Sequence, residues 1–325
     1  MLCYFPGVSP DNGGGRLIAA ADIGHGRGRG RGRGGSEGAC YSSRVTAADP
    51  IASGVDFRRH RVAVEPGVRL TVSEWQPGTG AEPLVFVAGW VSVLEGWRPL
   101  LEVLVKQRPV IYVETREKRS AEIEPRLLRP SSFAIPRLGE DLVAVCDALE
   151  VDPERRVFFA SSMGSNAVLE ALKGDRLQAR AAFLIGPNAE FRFPAWGKAL
   201  TYLPASIYHP VRPLIIWYLQ RFRVNTRQDP EQMARYRRTL RAAHPLRLKL
   251  SARAVLGYSA LPGLATVRVP VAIAYAASDT LHEPDEVRRM VAALPRGEAV
   301  ECPSNTYMHT AAVAVDLERF TSGRL

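Results

Sequence analysis

No stretch of this 325-residue chain is both long and apolar. Its apolar runs fall short of the roughly 20 residues that a membrane-crossing helix needs, so a spanning protein is not expected. The N-terminus also lacks a basic start followed by a long apolar core. Its best candidate, Leu17 to Ile23, is short and follows a glycine run, so a secretory signal is not expected. Cysteine is scarce, with only Cys3, Cys40, Cys146 and Cys302, and none stand at metal-ligand spacing. That sets aside a zinc site and a disulfide framework and makes a reducing, cytoplasmic setting the default. Acidic residues are scarce in one place. Residues 188–266 hold thirteen basic side chains against Glu190, Asp229 and Glu231, and that surplus of ten equals the formal charge of +10 for the whole chain.

Hydrophobic residues make up 46% of the chain, enough for a sizeable core, but they are unevenly spread. Residues 1–54 show no apolar periodicity, and Gly24 to Gly35 is largely alternating glycine and arginine. Such a segment has nothing to offset its ordering entropy and reads as a disordered, solvated tail, dispensable for stability. Arg-Gly repeats can bind RNA, but few aromatic residues lie nearby to stack on bases, so nucleic acid is not expected as a partner.

From Val55 onward the texture is that of a folded domain. Two alternating segments, 61–64 and 69–72, flank Pro66-Gly67 and read as a hairpin. Short apolar runs at 84–87, 110–113, 157–160, 181–185, 269–276 and 299–302 read as buried strands. Between them, helical spacing is found near 94–105, 138–149, 163–173 and 285–294, with a last helix over 309–320. Apolar strands alternating with helices predict an α/β class, a mostly parallel sheet covered on both faces. Residues 188–266 interrupt the pattern. They are rich in Pro, Trp, Tyr and Arg and read as a helical insertion, leaving 55–187 and 267–325 as the core.

Chemistry concentrates at Ala160-Ser161-Ser162-Met163-Gly164. A strand leads into it and a helix leaves it, with small residues two positions either side of Ser162. A strained strand-to-helix turn pushes a hydroxyl out above a sheet, and larger neighbours at those positions would collide. The helix N-terminus also directs N–H groups at the place where an oxyanion would form. The competing reading is that Ser162 only caps a helix.

The segment resembles the nucleophile elbow of the α/β-hydrolase superfamily, and the likeness extends over residues 55–325. It implies a sheet flanked by helices with a helical cap inserted, and no metal or organic cofactor. It also implies the chain order nucleophile, acid, histidine. Asp279, just past the apolar run 271–276, fits the acid; Glu283 and Asp285 are rivals that also suit the first turn of a helix. His309 follows the final strand and fits the base, whereas His282 lies too close to Asp279. Family members form the oxyanion hole from the amide after the nucleophile, here Met163, and one from the loop after an early strand, here Gly89-Trp90. The His-Gly usual in that loop is Ala88-Gly89 here. Gly89, Trp90 and Trp97 are candidates for the acyl pocket. A second departure is Glu114-Thr115-Arg116-Glu117-Lys118-Arg119-Ser120, which keeps the arginine and serine of the family's Asp-x-Arg-Gly-x-Gly-x-Ser but not its glycines.

The resemblance implies hydrolysis of a small-molecule carboxylic ester or thioester through an acyl-enzyme. Acyl transfer on the same fold, and a non-catalytic binding protein, stay open. Arginines dominate the basic side chains of the insertion eleven to two, with Arg235, Arg237, Arg238 and Arg241 close together. They read either as a solvated face or as a site for an anionic partner such as a lipid surface. The oligomeric state is not legible.

Overall fold

A computed structural model describes residues 42–45, 51–224, 229–279 and 283–323. The strands are β1 (Ser42–Val45), β2 (Asp56–Glu65), β3 (Val68–Gln76), β4 (Leu84–Val87), β5 (Val110–Val113), β6 (Glu122–Ile123), β7 (Val157–Ser161), β8 (Ala181–Ile185), β9 (Val271–Ala276) and β10 (Gly297–Cys302). They form one sheet in the order β1-β2-β3-β5-β4-β7-β8-β9-β10, with β6 against β3. The run from β5 to β10 is parallel, while β1, β2 and β3 are antiparallel additions at one edge. The expected α/β architecture is therefore present.

The continuous apolar strands serve two cores at once. Successive side chains point to opposite faces. Val85, Phe158, Leu184 and Ile273 pack on one side with α2 (Ile135–Ala148), α3 (Met163–Leu172) and α8 (Pro284–Ala293). Leu84, Phe159, Phe183 and Ala272 pack on the other with α1 (Arg98–Gln107) and α9 (Val313–Thr321). This is why the strands read as unbroken hydrophobic runs and not as alternating ones. The hairpin expected at Pro66-Gly67 joins β2 to β3, and Gly67 takes φ 87°, a conformation natural to glycine.

Between β8 and β9 lie α4 (Ala195–Leu200), α5 (Tyr208–Tyr218), α6 (Pro230–Ala242) and α7 (Pro245–Ala254), in the place of the expected helical insertion. Among the described residues no helix is long and apolar enough to cross a membrane.

Two expectations are corrected. The folded chain does not begin at Val55: β1 pairs with β2 through Ser42↔Val62 and Val45↔Arg59, and Ile51 and Ala52 are buried in the core. Ser-Ser-Arg-Val carries no apolar alternation, so only pairing identifies it as a strand. The Arg-Gly run, with Cys3 and Cys40, lies outside the described residues. At the other end, His309 does not open the last helix. It closes a 3-10 turn over Tyr307–His309, and α9 starts at Val313.

Candidate active site

The loops at the carboxyl ends of β4, β7, β8, β9 and β10 converge on one cavity of about 390 Å³. In an open parallel sheet this end is where helix N-termini and loops leave room for a ligand. Ser162, Asn188, Asn305 and His309 all line it.

Ser162 follows β7 with φ 50° and ψ −121°, a strained backbone for a residue with a Cβ. The surroundings hold it there. Its amide donates to the Ile185 carbonyl at 2.7 Å, and its carbonyl accepts from Asn166 N at 3.1 Å. Its hydroxyl makes no capping bond to α3, so the reading of Ser162 as a simple helix cap does not hold. Asn188 Nδ2 lies 3.5 Å from Ser162 Oγ, and Asn188 is itself fixed by paired bonds with Asn166 at 2.8 and 3.1 Å. The small neighbours are required sterically. A Cβ on Gly164 would run into the Val87 carbonyl and come within 2.8 Å of that of Ala88; one on Gly89 would sit 3.2 Å from the Ser161 carbonyl.

Met163 is buried at the first position of α3. Gly89 and Trp90 open a turn closed by Ser92 N donating to the Gly89 carbonyl at 3.0 Å, with Val91 at φ 46°. Positive φ at a β-branched residue is a genuine outlier. The Val91 amide donates to the buried Glu117 carboxylate at 3.2 Å, and Thr115 and Lys118 reach the same Oε1 at 2.8 and 3.0 Å. The segment that departs from the family pattern therefore braces this turn from below. In the same segment Arg116 is fully buried, bridging Asp141, Glu65 at 2.7 Å and the Ser132 carbonyl at 3.0 Å. The Trp90 indole donates to Ser251 Oγ of α7 at 2.8 Å. Trp97 lines the cavity, but one face of its ring stacks on His309, with centroids 4.3 Å apart.

His309 Nδ1 lies 2.9 Å from the Asn305 carbonyl. A carbonyl can only accept, so this contact assigns Nδ1 as the donor and leaves the lone pair of the neutral ring on Nε2. Asp279 is buried just past β9, where its amide donates to the Ala276 carbonyl at 3.0 Å and its Oδ2 accepts from Asn305 Nδ2 at 2.7 Å. Gln232 of α6 reaches its Oδ1 at 3.5 Å. Asn305 thus touches both Asp279 and His309. Burial, and then the Asp279 charge, hold the neighbouring Tyr236 phenol well above its ordinary value. Of the rival acids, Glu283 stands at the N-terminus of α8 without a side-chain capping bond and lies 3.4 Å from the Arg192 guanidinium, and Asp285 sits in the first turn. His282 lies outside the described residues.

The insertion supplies contacts that the sequence did not announce. Asp229, at the N-terminus of α6, accepts from Thr306 N at 2.7 Å and from the Thr306 hydroxyl. Arg235 donates to Asn305 Oδ1 at 2.6 Å and Thr306 Oγ1 at 3.0 Å, and burial pulls its guanidinium below the ordinary value. Arg235 is therefore no part of a solvated arginine face, whereas Arg237 and Arg238 are exposed. Only proximity in the fold links residue 235 to residue 305; no local motif announces it.

Neither a protein-family model nor a curated relative matches this sequence. Solved structures do match its fold. A hydrolase from Oleispira antarctica superposes with a TM-score of 0.64 at 15% identity, covering 77% of this chain and 94% of that one. The enol-lactonase from Burkholderia xenovorans gives 0.62 at 18% identity, with 80% and 96% covered. A thermophilic esterase from Thermogutta terrifontis gives 0.60 at 18%, with 87% and 96% covered. At these identities the likeness establishes the fold and nothing finer.

Proposed function

Starting from the α/β-hydrolase fold of this chain, we propose that it is a serine hydrolase that cleaves a carboxylic ester or thioester. The observation that carries this reading is the pairing, in one cavity, of a strained Ser162 with a His309 whose Nδ1 donates to the Asn305 carbonyl, which puts the basic nitrogen of the neutral ring at Nε2. The three superposed structures are described as a hydrolase, an enol-lactonase and an esterase, which supports carbonyl chemistry at this position of the fold.

In the proposed reaction Ser162 Oγ attacks the acyl carbonyl while His309 Nε2 takes the hydroxyl proton. The negative charge that develops on the carbonyl oxygen is met by the amides of Met163 and Trp90. Collapse of the tetrahedral intermediate expels the alcohol or thiol, which takes the proton from His309. Water, deprotonated by the same ring, then frees the acid. Asp279 stabilises the imidazolium and does not itself take the proton. The cavity is walled mainly by apolar side chains, among them Phe193, Leu200, Ile215 and Leu248, which suits an aliphatic or aryl acyl group over a highly charged one.

A fluorophosphonate probe tests the proposal, because it reacts only with an activated serine. Wild-type protein should be labelled at Ser162, Ser162→Ala should not, and His309→Ala should lose roughly 10³-fold or more in p-nitrophenyl ester turnover. Labelling elsewhere, or none, would leave the fold as a binding module.

A further inference from the structure

Seven large hydrophobic side chains are exposed among the described residues, and six of them fall between 196 and 222: Trp196, Tyr202, Leu203, Leu214, Trp217 and Phe222. Several are contiguous. The Trp196 ring meets Tyr218 at 5.1 Å, Tyr218 meets Phe222 at 5.6 Å, and Phe222 meets Trp217 at 5.6 Å. Leu214 and Trp217 stand three apart on α5 and so share a face. That face is not the one turned to the cavity, which takes Val211, Ile215, Tyr218 and Leu219 from the same segment. Trp196 and Tyr218 also border the cavity, but Leu214, Trp217 and Phe222 do not, and an apolar cluster of this kind left in water marks an interaction surface.

The charge around it narrows the partner. From Phe191 to Gln228 the sequence contains no Asp or Glu, while Arg192, Lys198, Arg212, Arg221, Arg223 and Arg227 are basic. Lys198 and Arg221 are exposed, and the Arg221 guanidinium lies over the Phe222 ring at 5.2 Å. A second copy packed on this face by two-fold symmetry would set these cations against their own counterparts. Aromatic rings flanked by arginine and lysine, with no acid among them, match the boundary of an anionic bilayer, where rings sit at headgroup depth and cations meet phosphate.

We propose that the α4–α5 face docks on an anionic lipid membrane, lying on it and not crossing it. Leu214, Trp217 and Phe222 enter the headgroup boundary, and Lys198 and Arg221 meet lipid phosphates. The docking itself does not depend on Ser162. If the hydrolase reading also holds, α5 becomes the wall between the bilayer and the cavity, and the substrate class becomes membrane-borne acyl esters.

Flotation of the full chain with lipid vesicles tests this. Vesicles of phosphatidylcholine containing about one-third phosphatidylglycerol should bind it on the order of 10-fold more tightly than pure phosphatidylcholine, and salt should erase the difference. Trp217→Ser with Phe222→Ser should reduce binding to both vesicles by about that factor. Lys198→Glu with Arg221→Glu should remove only the anionic preference. These side chains lie at the surface, so unchanged melting temperatures and unchanged turnover of a soluble short-chain ester should accompany the loss. The proposal is overturned if the wild type ignores anionic vesicles, if both double variants float like the wild type, or if sedimentation shows a dimer that the Trp217/Phe222 variant dissociates. An inert Ser162 in a chain that still floats would sink the hydrolase reading and leave this one standing.

Discussion

Asn305 makes contact with three partners that matter to the site. Its carbonyl fixes His309 Nδ1, its amide nitrogen holds Asp279 Oδ2, and its amide oxygen takes the Arg235 guanidinium. A side chain so placed acts through others and does not react. On the proposed reading, Asn305→Ala should lower kcat by roughly 10- to 100-fold with little change in KM, because Asp279 loses its Nδ2 donor and Arg235 its acceptor while the main-chain contact to His309 remains. Asn305→Asp should be worse at neutral pH, since it sets a second carboxylate against Asp279. A kcat indistinguishable from wild type in both variants would show that Asn305 only closes a loop. Ser162 stood out in the sequence as a candidate because the elbow's sterics leave a local signature, and Asp279 and His309 as candidates because the resemblance supplies their order. Asn305 did not, because its contacts depend on a 3-10 turn that only the folded loop reveals. The brace under Val91 was hidden in the same way, in a segment whose interest seemed to be its missing glycines.

At the scale of elements, α6 belongs to the candidate site as much as any strand of the sheet does. Asp229, Gln232 and Arg235 all reach the loops that carry Asp279 and His309. Arg235 is thus tied to Asn305 and Thr306, whereas its neighbours Arg237 and Arg238 are exposed, so the three differ in what they touch. Replacing all three would mix a loss of surface charge with a loss of positioning. Arg235→Gln alone should depress kcat about 10-fold and do so equally at low and moderate salt, since the contact is partly buried and little screened. Arg237→Gln with Arg238→Gln should leave kcat for a neutral ester unchanged. Kinetics on one neutral ester at two ionic strengths separate the two. The strands were readable to within a few residues because burial on both faces leaves unbroken apolar runs. The helices of the insertion were readable only as a block, since their amphipathic pattern divides between a cavity, the core and an exposed face.

For the molecule as a whole, the N-terminal boundary decides what can be trimmed. Ile51 and Ala52 are buried against the second core, and β1 extends the sheet beyond β2. A chain begun at Val55 should be less stable than one begun at Tyr41 by about 2–3 kcal/mol, most of it the lost burial of Ile51. For a domain of this size that is a fall of several degrees in melting temperature. Equal melting points for the two truncations would mean that residues 42–54 contribute nothing to the fold.

β8 and β9 are neighbours in the sheet, with Ala182 opposite Val271, although residues 186–270 separate them along the chain. Closing a loop costs entropy that grows only as the logarithm of its length, about 0.6 kcal/mol per doubling. The sheet is therefore nearly indifferent to how much is inserted there, provided the ties at Asp229, Arg235 and Ser251 are kept. The shape of the insertion and the integrity of the sheet become separately heritable traits, and a lineage could exchange one without rebuilding the other. The same chain order also times assembly on the ribosome. Ser162 leaves the tunnel long before β9 and β10, so a nascent chain, or one cut short before residue 309, carries the candidate serine without the candidate histidine. On the proposed reading, chemistry waits until the last strand has been made.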